Sequence, residues 1–130
     1  LPEIRQSSTH VFYTFPIILN INKLGVKRSK IFRALTAEGI PALAEGYQNL
    51  HLLPMYQKKI AMGPNNFPWS YENSRKEVNY QKGICPIAEK YHEESFLNLE
   101  ICVHELDEEE LNLICLAFEK VWKNLNALRE

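Results

Sequence analysis

Two side chains between Ile40 and Leu53 have the chemistry expected of a binding site. Tyr47 carries a phenol that can donate and accept a hydrogen bond. His51 carries an imidazole whose ordinary pKa, about 6.5, allows proton exchange near neutral pH. The segment shows neither a helical nor a strand period, so we predict a loop, where bulky polar aromatics often face a ligand. A turn-filling aromatic and a half-buried histidine between two leucines are the competing structural interpretations.

Cysteines, histidines and carboxylates occur elsewhere, but without the spacing of a metal site. Neither C-x-x-C nor H-x-x-x-H appears, so we predict buried thiols rather than zinc ligands for Cys102, in a strand, and Cys115, on an apolar helix face. The odd cysteine count argues against a disulfide framework and favours a cytoplasmic protein. The acidic run from Glu105 to Glu110 is typical of a helix start, where carboxylates stabilise the positive end of the helix dipole.

Five elements are predicted ahead of the last helix. The run Val11–Leu19 is rich in aromatic and β-branched residues, and because Pro16 cannot donate a ladder hydrogen bond, we expect an edge strand or a bulge. A helix is predicted over 26–38, with Gly39 as a left-handed cap, and a short one begins at Pro54 and runs to residue 60. A further helix over 85–91 leads into a half-buried strand over 96–103.

The last helix has the clearest boundaries in the sequence. Asp107 is a predicted N-cap and Glu110 completes a capping box. Apolar residues then recur every three or four positions, which predicts one buried stripe on a helix of roughly 20 residues. The stripe consists of Leu111, Ile114, Cys115, Phe118, Trp122 and Leu125.

The order of elements predicts an α+β fold in which helices cover a small, largely antiparallel sheet. At 130 residues, the chain fits a single domain over 1–130. The net charge of −1 and the scattered lysines give no indication of nucleic-acid binding, and no apolar run is long enough to cross a membrane. The breaker-rich stretch 63–81 contains Trp69 and Tyr71, which could form a recognition patch or anchor the loop.

Several stretches, in order, resemble the C-terminal small domain of the DegT/DnrJ/EryC1/StrS family of pyridoxal-phosphate (PLP) dependent sugar aminotransferases. The strongest is 38–56, with its Glu-Gly-Ile turn, Leu-His pair and Pro-x-aromatic ending. Cys85–Glu89 is similar to the family's Cys-Pro-Val-Ala-Glu helix start, Ala117–Leu125 to its C-terminal ending, and Tyr13–Leu19 to its first small-domain strand. Gly46-Tyr47 resembles the members that act on keto-cyclitols and the related aminohydroxybenzoate synthases. The resemblance does not extend over 63–82.

The resemblance implies the small domain of a fold-type I PLP aminotransferase that transfers an amino group from glutamate or glutamine to a keto-sugar or keto-cyclitol. The lysine that holds PLP, the acidic partner of its pyridine nitrogen and its phosphate site would lie in a separate large domain. We therefore expect this chain alone to bind no PLP and to be inactive. By the same resemblance, Tyr47 and His51 are substrate-binding residues in the cleft between domains, and the active site is assembled in a homodimer.

The alternative is a free-standing, non-catalytic α+β module for binding or interaction. A severed domain would expose an apolar patch where the large domain docks, whereas a free module would not. The sequence leaves the keto substrate and the amino donor open.

Overall fold

The computed structural model describes residues 3–63, 65–72, 74–75 and 77–129. The chain divides into two compact units, the first formed by Leu1–Tyr47 with Tyr91–Glu130 and the second by Gln48–Lys90. The helices in the described part of the chain are all too short or too polar to span a lipid bilayer.

A three-stranded antiparallel sheet lies in the first unit. Its strands are β1 (Phe15–Ile18), β2 (Leu43–Glu45) and β3 (Phe96–Leu99), in the order β1-β3-β2. Leu97 of the middle strand β3 pairs with Ile17 of β1 and, on its other edge, with Glu45 of β2. The α+β prediction with a small antiparallel sheet is confirmed, and so is the placement of the proline-containing β1 at an edge.

The strand β2 lies inside the segment predicted as a loop, so that part of the prediction is wrong. Three residues are too few to show an alternating pattern, and only the pairing with β3 makes them a strand. The backbone N–H of Glu100 donates to Ala42 O at 2.9 Å before the strand, and that of Gly46 donates to Phe96 O at 2.9 Å after it.

The central strand differs from its prediction in length and in burial. It ends at Leu99, and Ile101–Val103 forms a 3₁₀ turn, so Cys102 is exposed rather than buried in a strand. The sequence predicts a half-buried strand, yet Asn98 is only 1% exposed, because both faces of this middle strand are covered. Its Nδ2 donates to Glu100 Oε1 at 2.7 Å, which partly satisfies a buried amide.

The core of the first unit forms around α2 (Arg28–Ala37), which is preceded by the short helix α1 (Ile21–Leu24). The helix ends as predicted: Gly39 has a φ of +88°, and Ile40 N–H donates back to Leu35 O. The buried hydrophobic residues are Leu19, Val26, Ile31, Leu35, Ile40, Leu97, Leu99 and Val121.

The last helix, α5 (Glu108–Lys123), has 16 residues rather than 20 and is followed by a 3₁₀ turn at Leu125–Leu128. Its capping box is confirmed, with Glu110 N–H donating to Asp107 Oδ1 at 2.9 Å and Asp107 N–H to Glu110 Oε2 at 3.0 Å. The buried face of α5 is rotated around the helix axis relative to the predicted stripe. Val121, outside that stripe, is buried, whereas Cys115, within it, is exposed. Apolar residues occupy so much of the helix circumference that the sequence could not fix which part faces the core.

The second unit contains α3 (Pro54–Gln57), α4 (Pro86–Lys90) and a 3₁₀ turn at Leu50–Leu52. The helix α3 begins at Pro54, as predicted, but ends at Gln57 rather than at residue 60. The helix α4 covers the predicted range 85–91 except for one residue at each end. Turns, bends and irregular backbone form the described residues of 63–81, apart from an isolated antiparallel bridge between Met62 and Phe67. Trp69 packs edge-on against Tyr56 and Tyr80 and donates from Nε1 to the Tyr80 hydroxyl at 3.0 Å. These contacts favour the anchoring interpretation of Trp69, while Tyr71 is 56% exposed.

Candidate functional site

His51 contacts a buried carboxylate within the second unit. It lies on the 3₁₀ turn, and its Nε2 is 2.8 Å from Oε1 of Glu89, the fourth residue of α4. The side chains are only 11% and 7% exposed. A carboxylate can only accept, so the imidazole proton in this contact is on Nε2.

Glu89 also accepts hydrogen bonds from the backbone in front of its own helix. Gly83 N–H lies 2.8 Å from both carboxylate oxygens, and Cys85 N–H lies 3.2 Å from Oε1. Burial by itself would raise the pKa of this carboxyl, but the donors from Gly83, His51 and Cys85 together lower the pKa below its ordinary value. Glu89 is therefore held as an anion that fixes His51 to the start of α4.

This arrangement gives His51 a fixed orientation. A histidine whose one nitrogen is held by a carboxylate has a defined tautomer and ring plane, which is how proteins position imidazoles for hydrogen bonding or proton transfer. The contact also satisfies a half-buried histidine, which supports the structural interpretation of this residue. A substrate-binding role for His51 stays a prediction.

Tyr47 lies in the first unit, directly after a glycine that is packed against His92. Gly46 has a φ of +68°, and a Cβ built on it would lie 2.7 Å from both Nδ1 and the carbonyl oxygen of His92. The next backbone N–H, that of Tyr47, donates to His92 Nδ1 at 2.9 Å. Only glycine fits this close approach, so His92 and Gly46 together set the direction in which Tyr47 leaves the backbone.

The Tyr47 side chain forms a pair of phenols with Tyr13. Their hydroxyl oxygens are 3.2 Å apart, and the two residues are 49% and 74% exposed. The hydrogen bond with Tyr13 is the main cause of a raised pKa for the Tyr47 phenol, and the negative charge of Glu100 acts in the same direction. Tyr47 therefore presents a neutral hydroxyl, able to donate to or accept from a ligand hydroxyl or carbonyl.

Arg28 supports this loop from α2. Its Nη1 donates to His92 O and, at 3.4 Å, to Phe96 O, and its Nε lies 3.8 Å from Glu45 Oε1. The Arg28 side chain is 13% exposed. Arg28 thus holds the backbone of the residue against which Gly46 packs.

The supporting residues of both predicted positions were missed from the sequence. Glu89 stands in the Cys-Pro-x-Ala-Glu segment and could have been paired with the Leu-His segment. No sequence pattern linked Tyr13, Arg28 or His92 to Tyr47, because these residues approach it only when segments distant in sequence fold together. Tyr47 belongs to the first unit and His51 to the second. Each contact described above joins residues of the same unit.

The described residues do not form a PLP site. The lysine that holds this cofactor lies in a desolvated pocket, yet among the described lysines only Lys30 and Lys59 are even half-buried. No step of PLP chemistry is therefore assigned to these residues. Within the same described ranges, His, Cys, Asp and Glu side chains form no group of three or more that could hold a metal ion.

Comparison with known proteins does not show which family the chain belongs to. No protein-family model matches the chain, and no solved structure matches it. A stretch of 84 residues, 62% of the chain, is 30% identical to an uncharacterized protein, MJ1066, of Methanocaldococcus jannaschii. That stretch is 22% of MJ1066, so the chain matches about a fifth of the length of this curated relative.

Proposed function

We propose that the chain is the C-terminal small domain of a PLP-dependent aminotransferase of the DegT/DnrJ/EryC1/StrS family. The complete enzyme would act in the cytoplasm as a homodimer and transfer an amino group from glutamate or glutamine to a keto-sugar or keto-cyclitol. The observation that carries the proposal is the contact between His51 and Glu89. These residues come from the Leu-His and Cys-Pro-x-Ala-Glu segments, two separate stretches on which the resemblance rests.

Two further findings support the proposal. The α+β fold with a small antiparallel sheet is the architecture that the resemblance implies. The match to a relative of which the chain covers only 22% agrees with a piece of a longer polypeptide. The large domain would supply PLP and its electron sink.

In this proposal the two predicted residues act on the substrate side of the cleft. The neutral phenol of Tyr47, positioned by Gly46 and His92, would hydrogen-bond a hydroxyl of the keto substrate. His51, oriented by Glu89, would donate to or accept from a substrate oxygen. Both residues bind and orient the substrate, and the amino-group transfer itself belongs to the large domain.

The test begins with the complete reading frame that contains this chain, expressed as one protein. We expect a visible PLP absorbance that borohydride reduction removes, and conversion of glutamate or glutamine to its keto acid when a keto-sugar or keto-cyclitol is supplied. A reading frame without a lysine-bearing cofactor domain would overturn the proposal. That outcome would instead favour the non-catalytic α+β module.

A further inference from the structure

Tyr13 and Tyr47 place two phenol hydroxyls side by side on the surface of the first unit. We call these two side chains the phenol pair. Their oxygens are 3.2 Å apart, and the residues are 74% and 49% exposed, so the pair is accessible to a ligand. Water competes for an exposed hydrogen bond, and such a bond therefore adds little to the stability of a fold. Stability alone does not account for the pair.

The two members of the phenol pair are positioned from different parts of the fold. Tyr13 follows Phe12, whose ring stacks on His10 with centroids 3.9 Å apart and packs against Phe15 at 5.0 Å. Phe12 is half-buried whereas Tyr13 is exposed, so aromatic contacts hold this segment while the phenol of Tyr13 remains on the surface. Tyr47 comes from the turn after β2, where its own backbone N–H is held by a histidine ring.

The phenol pair can bind two adjacent hydroxyls better than one. A hydroxyl donates one proton and accepts through two lone pairs, so when one phenol donates to the other, the second keeps its own proton for a ligand. Adjacent hydroxyls on a saturated ring lie roughly one hydrogen-bond length apart. One of them can accept from the second phenol while the other donates to the first. A lone hydroxyl would have to reach both phenol oxygens at once, with at least one bond poorly aligned.

The charge beside the phenol pair favours a neutral ligand. The hydrogen bond with Tyr13 is the main cause of the raised pKa of the Tyr47 phenol, and the negative charge of Glu100 adds to the effect. Tyr47 therefore keeps its proton near neutral pH. The Glu100 carboxylate, which accepts from Asn98 Nδ2 at 2.7 Å, would repel a phosphate or carboxylate bound at the same place.

We propose that Tyr13 binds the keto substrate together with Tyr47, and that the phenol pair recognises two adjacent hydroxyl groups of the substrate ring. This role rests on the proposed function, which places the substrate at Tyr47, and it adds a second binding residue. Tyr13 would be a specificity-determining residue, because it distinguishes a ring with neighbouring hydroxyls from one in which either hydroxyl is missing.

The first experiment measures binding without turnover, in the complete polypeptide labelled with 3-fluorotyrosine. The variants Tyr13→Phe and Tyr47→Phe assign the two fluorine resonances. The probes are myo-inositol, a neutral ring with a hydroxyl on every carbon, and cyclohexanol, a ring of the same size with one hydroxyl. We expect myo-inositol to shift both resonances and cyclohexanol to shift neither. The resonance of Tyr71, which is 56% exposed and outside the pair, should stay unchanged with both probes.

The same titration measures how much Tyr13 contributes. In Tyr13→Phe, the dissociation constant of myo-inositol, followed at the Tyr47 resonance, should rise about tenfold, as expected for one lost hydrogen bond. Tyr71→Phe is the matched control, because it also removes an exposed phenol, and it should leave the dissociation constant unchanged. Circular dichroism of each variant verifies that the fold is retained.

The second experiment compares a keto-cyclitol with its monodeoxy analogues, each of which lacks one ring hydroxyl. Tyr13→Phe should lower kcat/KM about tenfold for the parent compound and leave it unchanged for the analogue without the hydroxyl that Tyr13 binds. This coupling between residue and hydroxyl separates binding from support. A residue that only supports Tyr47 would lower kcat/KM equally for the parent and for every analogue.

Three results would overturn this role for Tyr13. They are the same response to myo-inositol and cyclohexanol, including no response to either, a shift of the Tyr47 resonance alone, and an equal loss of kcat/KM for all substrates in Tyr13→Phe. Failure of the proposed function looks different. A complete polypeptide that does not transaminate, yet shifts both resonances with myo-inositol, supports the recognition of adjacent hydroxyls and contradicts only the aminotransferase.

Discussion

Replacing Gly46 by alanine tests the close approach that positions Tyr47. The new Cβ would lie 2.7 Å from Nδ1 and the carbonyl of His92, and the residue would keep a positive φ. A left-handed alanine costs roughly 1–2 kcal/mol, and overpacking adds about 1–3 kcal/mol. We expect both a lower free energy of unfolding in urea and a weakened Tyr47 N–H to His92 hydrogen bond, seen as faster exchange of that amide.

Gly25 provides the matched control in the same unit. Its φ of +65° is close to that of Gly46, but a Cβ there meets only Arg129 Nε, at an ordinary 3.6 Å. Gly25→Ala should therefore show the conformational cost alone. Equal losses in the two variants would mean that His92 moves aside and does not hold the loop.

The phenol of Tyr47 can be tested directly in the complete enzyme. If it binds a substrate hydroxyl as proposed, Tyr47→Phe should lower kcat/KM for the keto substrate by about tenfold, which corresponds to one hydrogen bond. Tyr71→Phe removes a phenol that is also exposed, at 56%, and should leave kcat/KM unchanged. An unchanged KM and kcat for Tyr47→Phe would mean that Tyr47 only fills the turn and that its hydroxyl does not bind the substrate.

The pH dependence of stability should reveal the buried contact of Glu89. Its folded pKa is lowered, so it contributes stability that is fully present above the carboxyl pKa of the unfolded chain and is lost as the pH falls through the folded pKa. Glu89→Gln should therefore be less stable than the natural chain at pH 7, and the difference should shrink below about pH 4, near the ordinary carboxyl value. Urea unfolding at a series of pH values measures both effects.

Glu119 is the control, because the pKa of its carboxyl is also lowered, chiefly by its hydrogen bond to Lys123. That pair is on the surface, with side chains 74% and 59% exposed, so solvent screens it. Glu119→Gln should change stability much less than Glu89→Gln at every pH. A constant offset for Glu89→Gln across the pH range would mean that its carboxylate charge contributes nothing.

At the scale of elements, substitutions in α5 test which face of this helix packs on the core, because the sequence left that face undetermined. Val121 is 5% exposed, whereas Cys115 is exposed although it belongs to the predicted stripe. Val121→Ala should cost roughly 2 kcal/mol through lost burial and a residual cavity. Cys115→Ala should stay within about 0.5 kcal/mol of the natural chain, because exposed substitutions rarely cost more. Denaturant titrations measure both losses. A larger loss for Cys115→Ala than for Val121→Ala would mean that the buried face of α5 is the stripe that the sequence predicts.

The ends of elements could be predicted from the sequence better than their packing. Asp107 with Glu110, and Gly39 with its left-handed φ, act through their immediate neighbours, and both are found as predicted. The strand β2 and the burial of Asn98 depend on strands that come from far along the chain, so no local pattern contains them. The same reason explains why Tyr47 could be named but its support by His92 could not.

On the scale of the whole molecule, the two units are stabilised differently. Every buried hydrophobic residue of the described chain belongs to the first unit. In the second unit the buried residues are polar, Asn49 and Glu89, and its packing relies on the aromatic contacts of Trp69 with Tyr56 and Tyr80. Units with few buried apolar contacts open at lower free energy than a hydrophobic core.

The two tryptophans allow this difference to be measured, since Trp69 lies in the second unit and Trp122 in the first. In Trp122→Phe the fluorescence reports the second unit alone, and in Trp69→Phe it reports the first. We expect the Trp69 signal to change at lower urea than the Trp122 signal, and amides of 48–90 to exchange faster than those of α2 and β3. Coincident transitions in both variants would mean that the chain unfolds as one cooperative unit, with the second unit fully dependent on the first.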